Sequence, residues 1–338
     1  MDELSFSSEP LPKKPRVLFM GTPDFAVPAL KALHRWCLLR GGEIVAVVSQ
    51  PDRPKGRGKK RQRTPTAQQA DQLGLPCFQW PKLSNDSYNT LKSLDYDLAV
   101  VIAYGKILPK RYLVLPPWGC INLHASLLPA YRGAAPIQWA LINGENKTGV
   151  AVMRLDEGMD TGPVALMKEI NILPEDTSAS LFLKLADLAA QALIEALDQW
   201  VLDSSEEGLI FNPQDSEGAS HAPMLQKADG ILDWNKPAAT LFNLSRGVSP
   251  WPGAQTEIKE GILKVKALKT IDEEALTEEE KSETGGVVLS LHQDGPVIRC
   301  GNGAVILTQT QRPSKKATSG ADFYRGYPLI VGQHLKEC

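Results

Sequence analysis

The segment DLAVVIAY, residues 97 to 104, is apolar without a break from Leu98 to Ala103 and so has no face suited to water. A strand of that kind needs cover on both sides, which soluble chains provide by setting a parallel sheet between two layers of helices. The surrounding sequence repeats the theme. Strand-like runs RVLFM (16–20), EIVAVVSQ (43–50) and CINLHA (120–125) alternate with helical stretches AVPALKALHRW (26–36), a segment near 66–73 and APIQWALING (135–144). That alternation predicts an α/β fold with a doubly wound, mostly parallel sheet. GVAVMRL (149–155) is a further strand, and VALMKEINI (164–172) is expected to pair with it antiparallel across a glycine-bearing loop. From 178 to 201 apolar residues recur at three-and-four spacing, which predicts a long amphipathic helix with Asp176, Thr177 or Ser178 as its cap.

With 338 residues, 43% of them hydrophobic, the chain has material for two domains. Residues 203–221, DSSEEGLIFNPQDSEGASH, are rich in Ser, Glu, Gly and Asp with little periodicity, the composition of a linker. Beyond them, short apolar runs such as GILKVKAL, GGVVLSL, GPVIRC and GAVILTQT are separated by Gly, Pro and Asp-Gly turns, which predicts a small antiparallel barrel or sandwich. The expected organisation is an N-terminal domain over 1–203, a linker over 204–221 and a C-terminal domain over 222–338. The acidic run at 272–283 is expected to protrude as a loop or helix.

A formal charge of -2 gives no global attraction to nucleic acid, so any basic surface must be local. The five cysteines are odd in number and scattered, with no C-x-x-C pair and no histidine at zinc-ligand spacing. Neither a disulfide framework nor a metal site is expected, and the thiols read as buried groups in a reducing compartment. The N-terminal residues lack the apolar core of a signal peptide, and no run approaches the roughly 18 residues of a membrane span, so a cytoplasmic location is expected.

A doubly wound sheet invites a dinucleotide, but the first turn, MGTPDF, has one glycine where that fingerprint needs three. GRGKK at 56–60 lacks the spacing of a P-loop. Attention moves instead to CINLHASLLPAYRG, where Asn122 and His124 interrupt an apolar strand at alternate positions. Alternation puts both on one face, at the strand end that faces a proline-closed loop. A histidine, titrating near about 6.5, can take and return a proton, and an asparagine amide can donate to a developing oxyanion without titrating. A carboxylate that orients the imidazole would complete the unit, and LDEGMDTGP offers Asp156 and Asp160. No serine or cysteine sits in a nucleophile elbow, which favours direct transfer between two bound substrates over a covalent intermediate. On residue types alone, a turn-capping Asn122, a satisfied core His124 and a plain Asp-Gly loop describe the same positions equally well.

The longer strings are more specific. GTPDFA, QPDRPKGRGKK, VVIAYGKILP, GCINLHASLLPAYRGAAPIQWALINGE, TGVAVMRLDEGMDTG and SPWPGA, in this order over about residues 16 to 335, resemble the methionyl-tRNA formyltransferase family. The resemblance implies a Rossmann-like formyltransferase domain followed by a small OB-like β-barrel. It implies 10-formyltetrahydrofolate as formyl donor, the α-amino group of methionine on initiator tRNA as acceptor, and no metal. Asn122, His124 and Asp160 take the positions of the family's catalytic residues, and Ser126, Leu127, Leu128 and Pro129 those of its folate-binding stretch. Residues 53–63 hold seven Lys or Arg in eleven positions. By itself such a run is a solvated surface loop as readily as a contact. The resemblance assigns it to the tRNA acceptor stem, with Arg57 foremost and Lys59 and Lys60 beside it. A basic face including Lys264, Lys266, Lys315, Lys316 and Arg325 is expected to follow the RNA backbone. Trp251 is expected in the core. Phe25 is expected either in a methionine pocket or as a strand-to-helix staple. A monomer is expected. The rival functions are another folate formyltransferase or hydrolase, and a non-catalytic protein that binds RNA or folate.

Overall fold

The computed structural model describes residues 4–7, 9–55, 60–202 and 209–335. The chain divides into two compact units, Met1–Gly133 with Thr148–Ile170 and Phe182–Ala222, and Ala134–Lys147 with Asn171–Leu181 and Pro223–Cys338. In chain order the first elements are β1 (Arg16–Gly21), α1 (Val27–Arg40), β2 (Glu43–Val48), β3 (Arg53–Lys55), β4 (Lys60–Gln62), α2 (Pro65–Gln72), β5 (Cys77–Phe78), α3 (Asn85–Ser93), β6 (Leu98–Ile102), α4 (Lys110–Leu113), β7 (Cys120–His124), α5 (Pro136–Ile142), β8 (Lys147–Arg154), β9 (Val164–Asn171) and α6 (Ser178–Leu202).

Seven strands form one sheet in the order β5-β2-β1-β6-β7-β8-β9. Pairing is parallel from β5 through β7, and β8 runs antiparallel to β7. The Arg154 N–H donates to the Pro163 carbonyl while Gly149 lies against Lys168, so β9 runs antiparallel to β8, as the sequence predicts. The chain winds outward from β1 through β2 and β5, then returns to build the other half from β6. That reversal falls between β1 and β6, and beyond the carboxyl ends of strands at such a point is where sheets of this kind hold ligands. Every residue of β6 is buried, which accounts for its lack of a polar face. On one face Ala99 and Val101 pack with Leu91 of α3 and Tyr112 and Leu113 of α4, and Leu185, Ala189, Ala192, Leu193, Ala196, Leu197 and Trp200 of α6 make one buried stripe at helical spacing. Each fully buried leucine there contributes about 1.5–3 kcal/mol relative to exposure.

Local signals start the helices. Thr64 accepts from the Ala67 N–H at the head of α2, and Ser84 and Ser87 cap each other's backbone at the head of α3. The α3 helix leaves little trace in the sequence because its apolar stripe is short, with Ser87 and Leu91 as its buried residues. Arg154 is half-buried, with its guanidinium over three rings, Phe211 at 4.0 Å, Phe6 at 5.0 Å and Trp200 at 5.9 Å. Burial pushes its pKa down to about 10, which still leaves a cation at neutral pH.

The second unit contains α7 (Ala238–Gly247), β10 (Ala254–Ile258), β11 (Gly261–Ile271), α8 (Glu278–Ser282), β12 (Val288–His292), β13 (Gly295–Arg299), β14 (Ala304–Gln311), β15 (Thr318–Ser319) and α9 (Gly320–Gly326). Its antiparallel sheet has the order β10-β11-β14-β13-β12, with β15 on β14. The α5 helix belongs here because it packs on α7. Gly247 makes the approach possible, since a Cβ at that position would lie 2.5 Å from Ile142 Cγ1.

Two expectations are corrected in this unit. Trp251 is 53% exposed, in the turn between α7 and β10, while Trp234 fills the core and donates its indole N–H to Thr256 Oγ1 at 3.0 Å. The acidic run does not simply protrude. Leu276 is buried among Val287, Leu289, Val297, Ala304 and Ile306. Glu273 pairs with Arg299, a side chain buried in the sheet, through Nη1 at 2.8 Å and Nη2 at 3.0 Å, and it also accepts the Gly303 N–H. A buried guanidinium needs such a partner, and the run supplies it.

Among the described residues no helix is long and apolar enough to cross a membrane, and no group of three or more His, Cys, Asp or Glu is placed to hold a metal ion. Cys37, Cys77, Cys120 and Cys300 are free, and burial raises the Cys120 thiol to about 12.

Candidate active site

Strand β7 lies between β6 and β8, and the register puts Asn122 opposite Val101 on one side and Met153 on the other, with His124 opposite Ala151. Asn122 and His124 therefore share the face on which Leu128, Ala151, Met153 and Val164 form an apolar cluster. His124 is 6% exposed, whereas Asn122 is half-buried, and among the described residues the Asn122 amide has no hydrogen-bond partner.

The imidazole is fixed from two sides. Its Nε2 lies 2.9 Å from the Tyr131 carbonyl oxygen, and its Nδ1 lies 3.6 Å from Asp160 Oδ2. A carbonyl can only accept, so Nε2 carries a proton and Nδ1 is the basic nitrogen of the neutral ring. At 3.6 Å the Asp160 contact is not a hydrogen bond of the neutral ring. It becomes an ion pair when Nδ1 takes up a proton.

Of the two aspartates in the loop after β8, only Asp160 faces His124. Asp156 shapes the loop instead, accepting from the Gly158 N–H at 3.0 Å and from the Thr161 hydroxyl at 2.8 Å. Asp160 Oδ2 also accepts the Gly133 N–H at 2.8 Å. This arrangement stores strain, because Asp160 has φ +55° and Tyr131 φ +60°. A left-handed conformation costs a side chain with a Cβ about 1–2 kcal/mol, although aspartate tolerates it better than most. The surrounding hydrogen bonds, each with a net value of about 0.5–1.5 kcal/mol, are sufficient to hold it.

The loop after β7 contains the four residues that the family resemblance assigns to folate. Ser126 is buried and donates to the Ala130 carbonyl at 2.6 Å. Leu127 packs close to Gly149, Leu128 joins the apolar cluster, and the Pro129 carbonyl accepts from Ser220 at 3.4 Å. Phe25 is buried, edge-to-face with Phe182 at 5.2 Å.

Residues 212–221 of the expected linker, together with Ala222, are instead bound along this loop. Asn212 pairs with Val164, the Arg132 N–H donates to Ser220, the Ala222 N–H donates to Arg132, and Ser220 Oγ accepts the Tyr131 N–H at 2.9 Å. The strap can approach only because residue 133 is glycine, with φ +125° and no Cβ, which would lie 2.7 Å from the Ala222 oxygen. Gln214 reaches inward from the strap. Its Nε2 donates to the Asp160 carbonyl at 2.8 Å and the Gly162 carbonyl at 2.7 Å. Its Oε1 accepts from Arg132 Nε at 3.0 Å and Nη2 at 2.7 Å. Composition gave no hint of it, since its partners are more than 50 residues away.

The basic run is partly used up in structure. Arg63 is held by Asp71 through Nε at 2.5 Å and Nη2 at 2.7 Å and by Gln79, and the Asp71 bond raises its pKa further. Arg57 and Lys59 lie outside the described residues, and Lys60 begins β4. In the second unit Lys264, Lys315 and Lys316 are exposed and Lys266 is half-buried, while Arg325 pairs with Asp322 at 2.5 Å.

The formyl transferase family model matches residues 14–197, and the model of the formyl transferase C-terminal domain matches 224–328. The chain is similar to the methionyl-tRNA formyltransferase of Citrifermentans bemidjiense, 42% identical over 94% of this chain and 95% of that protein. It is also similar to the methionyl-tRNA formyltransferase of Thermodesulfovibrio yellowstonii, 44% identical over 94% and 97%. Among solved structures it shares the fold of the N-formyltransferase from Helicobacter canadensis, with a TM-score of 0.62 at 14% identity over 86% of this chain and 98% of that one. HypX from Aquifex aeolicus, solved with tetrahydrofolic acid, matches with a TM-score of 0.57 at 16% identity over 92% of this chain and 47% of that one.

Proposed function

This chain belongs to the formyl transferase family, and we propose that it is a methionyl-tRNA formyltransferase acting on the initiator tRNA of translation. The reaction carries the formyl group of 10-formyltetrahydrofolate to the α-amino group of the esterified methionine. Asn122, His124 and Asp160 perform it by direct attack. The observation that carries this reading is the convergence of an amide with no partner among the described residues, an imidazole with Nδ1 basic and a carboxylate 3.6 Å from that nitrogen.

The amide N–H groups of Asn122 donate to the oxygen that becomes negative when the formyl carbon turns tetrahedral. His124 Nδ1 takes the proton from the attacking nitrogen and delivers it to the departing N10, so one C–N bond forms, another breaks and the proton is conserved. Asp160 stabilises the imidazolium between those two transfers. Tyr131 keeps the ring oriented by accepting from Nε2. Ser126, Leu127, Leu128 and Pro129 hold the donor's pterin side, and the half-buried amide of Asn122 suits a formyl oxygen that arrives with it.

Arg57, Lys59 and Lys60 contact acceptor-stem phosphates in this proposal, a contact that weakens with salt. The catalytic domain then spans 1–203, residues 204–221 connect it onward with 212–221 bound along the loop after β7, and 222–338 form an OB-like barrel that follows the RNA backbone with Lys264, Lys315 and Lys316. The enzyme works as a cytoplasmic monomer.

The test is single-turnover formyl transfer with Asn122→Ala and His124→Ala. Each should lose on the order of 100- to 1000-fold in rate, the usual cost of an oxyanion donor, with an unchanged circular dichroism spectrum. Near-normal turnover in either variant would remove that residue from the mechanism.

A further inference from the structure

We propose that Gln214 is a positioning residue for catalysis, fixing the backbone of Asp160 so that its carboxylate stays on His124. The inference rests on the catalytic reading of Asp160 given above. Asp160 holds a left-handed backbone at φ +55° that its own sequence does not favour. Without outside bonds the loop would relax, and the carboxylate would leave both His124 Nδ1 and the Gly133 N–H.

Gln214 supplies those bonds from a segment 54 residues further along the chain. Its two amide hydrogens go to the carbonyls of Asp160 and Gly162, on either side of Thr161. Its oxygen takes two bonds from Arg132. Arg132 neighbours Tyr131, whose carbonyl accepts from His124, and Gly133, whose N–H donates to Asp160. One amide therefore ties together the loops that hold both ends of the His124–Asp160 pair. Both donors and the acceptor are in use, and no other side chain of similar length has this pattern. A glutamate would keep the Arg132 contact but turn an oxygen toward two carbonyl oxygens. An asparagine would be one methylene too short to span both loops.

The experiment is a double-mutant cycle on the full chain, with kcat and KM for Met-tRNA and for 10-formyltetrahydrofolate measured for Gln214→Ala, Gln214→Glu, Asp160→Asn and the two combinations. Asparagine tolerates the left-handed backbone, so Asp160→Asn removes the charge and leaves the loop geometry in place. Each Gln214 variant should lose on the order of 100-fold in kcat, the scale of a misplacement by about 1 Å, with either KM changed by less than about threefold. In the Asp160→Asn background the same substitutions should change kcat by less than about threefold, because the group they position is already gone. Gln214→Glu keeps a partner for Arg132 and serves as the stable variant if Gln214→Ala fails to fold. A full, independent loss in the Asp160→Asn background would overturn the positioning role, as would wild-type kcat for Gln214→Glu or a loss confined to KM. Wild-type kcat for Asp160→Asn alone would strike the catalytic reading instead, which keeps the two failures apart.

Discussion

Replacing Asp160 by asparagine isolates a charge. The asparagine oxygen still accepts the Gly133 N–H, and the residue tolerates φ +55°, so the loop should keep its shape. What disappears is the attraction between a carboxylate and an imidazolium 3.6 Å apart, with side chains only 16% and 7% exposed. Coulomb's law with an effective dielectric constant of about 20 to 40 gives about 2–5 kcal/mol at that separation. If the imidazolium exists only during the reaction, that energy is lost from the transition state and not from substrate binding. At about 1.4 kcal/mol per decade, kcat should fall by roughly 30- to 3000-fold. The assay is single-turnover transfer of labelled formyl from 10-formyltetrahydrofolate to Met-tRNA, with thermal unfolding run in parallel. The expected outcome is a loss in kcat with KM and melting temperature close to wild type. A kcat within about threefold of wild type would mean that no charged imidazole forms beside Asp160, and the reasoning would fail.

Other perturbations test separate parts of the structure. Gly133→Ala introduces a methyl group 2.7 Å from the Ala222 oxygen on a left-handed backbone, so it should destabilise by about 1–3 kcal/mol, measured by denaturant titration, and reduce turnover as the strap shifts. The Gly303 N–H and Arg299 hold the Glu273 carboxyl below its ordinary value of 4.5. A group with a lowered folded-state pKa contributes stability above the unfolded value and loses it as pH falls through the folded one. The melting-temperature advantage of wild type over Glu273→Gln should therefore be complete at neutral pH and shrink in acid below about pH 4.5. A difference independent of pH would contradict this. Arg57→Ala should weaken use of Met-tRNA and flatten its salt dependence while sparing the KM for the folate, because a phosphate contact releases counterions. Equal damage to both substrates would count against a tRNA role.

Much of the fold could be read from periodicity. Unbroken apolar strands such as Leu98–Ile102 state directly that both faces are covered, and the alternation of Asn122 and His124 states that they share a face. Choosing between Asp156 and Asp160 was beyond the residues themselves. Both sit in one short loop, and only the turn made by Gly158 and Thr161 around Asp156 leaves Asp160 on the histidine. The strap was missed for a deeper reason. Asn, Pro, Ser and Gly compose a free linker and a bound one alike, and what binds 212–222 is a set of long-range hydrogen bonds to Arg132, Tyr131 and Asp160. The acidic run misled in the same way, since the anchoring of Glu273 depends on a cation, Arg299, that lies in the following strand pair. Trp251 was assigned by residue type to a core that Trp234 already fills.

The central claim is that this site moves a formyl group from a folate to the amine of a tRNA-bound methionine. Its most direct test offers the purified chain labelled 10-formyltetrahydrofolate together with initiator Met-tRNA, a small amine, an amino sugar nucleotide and water, and follows where the label goes. The account predicts rapid appearance of formyl-Met-tRNA, with negligible label in the other acceptors. Label passing to the sugar or to water, with Met-tRNA left unmodified, would contradict it.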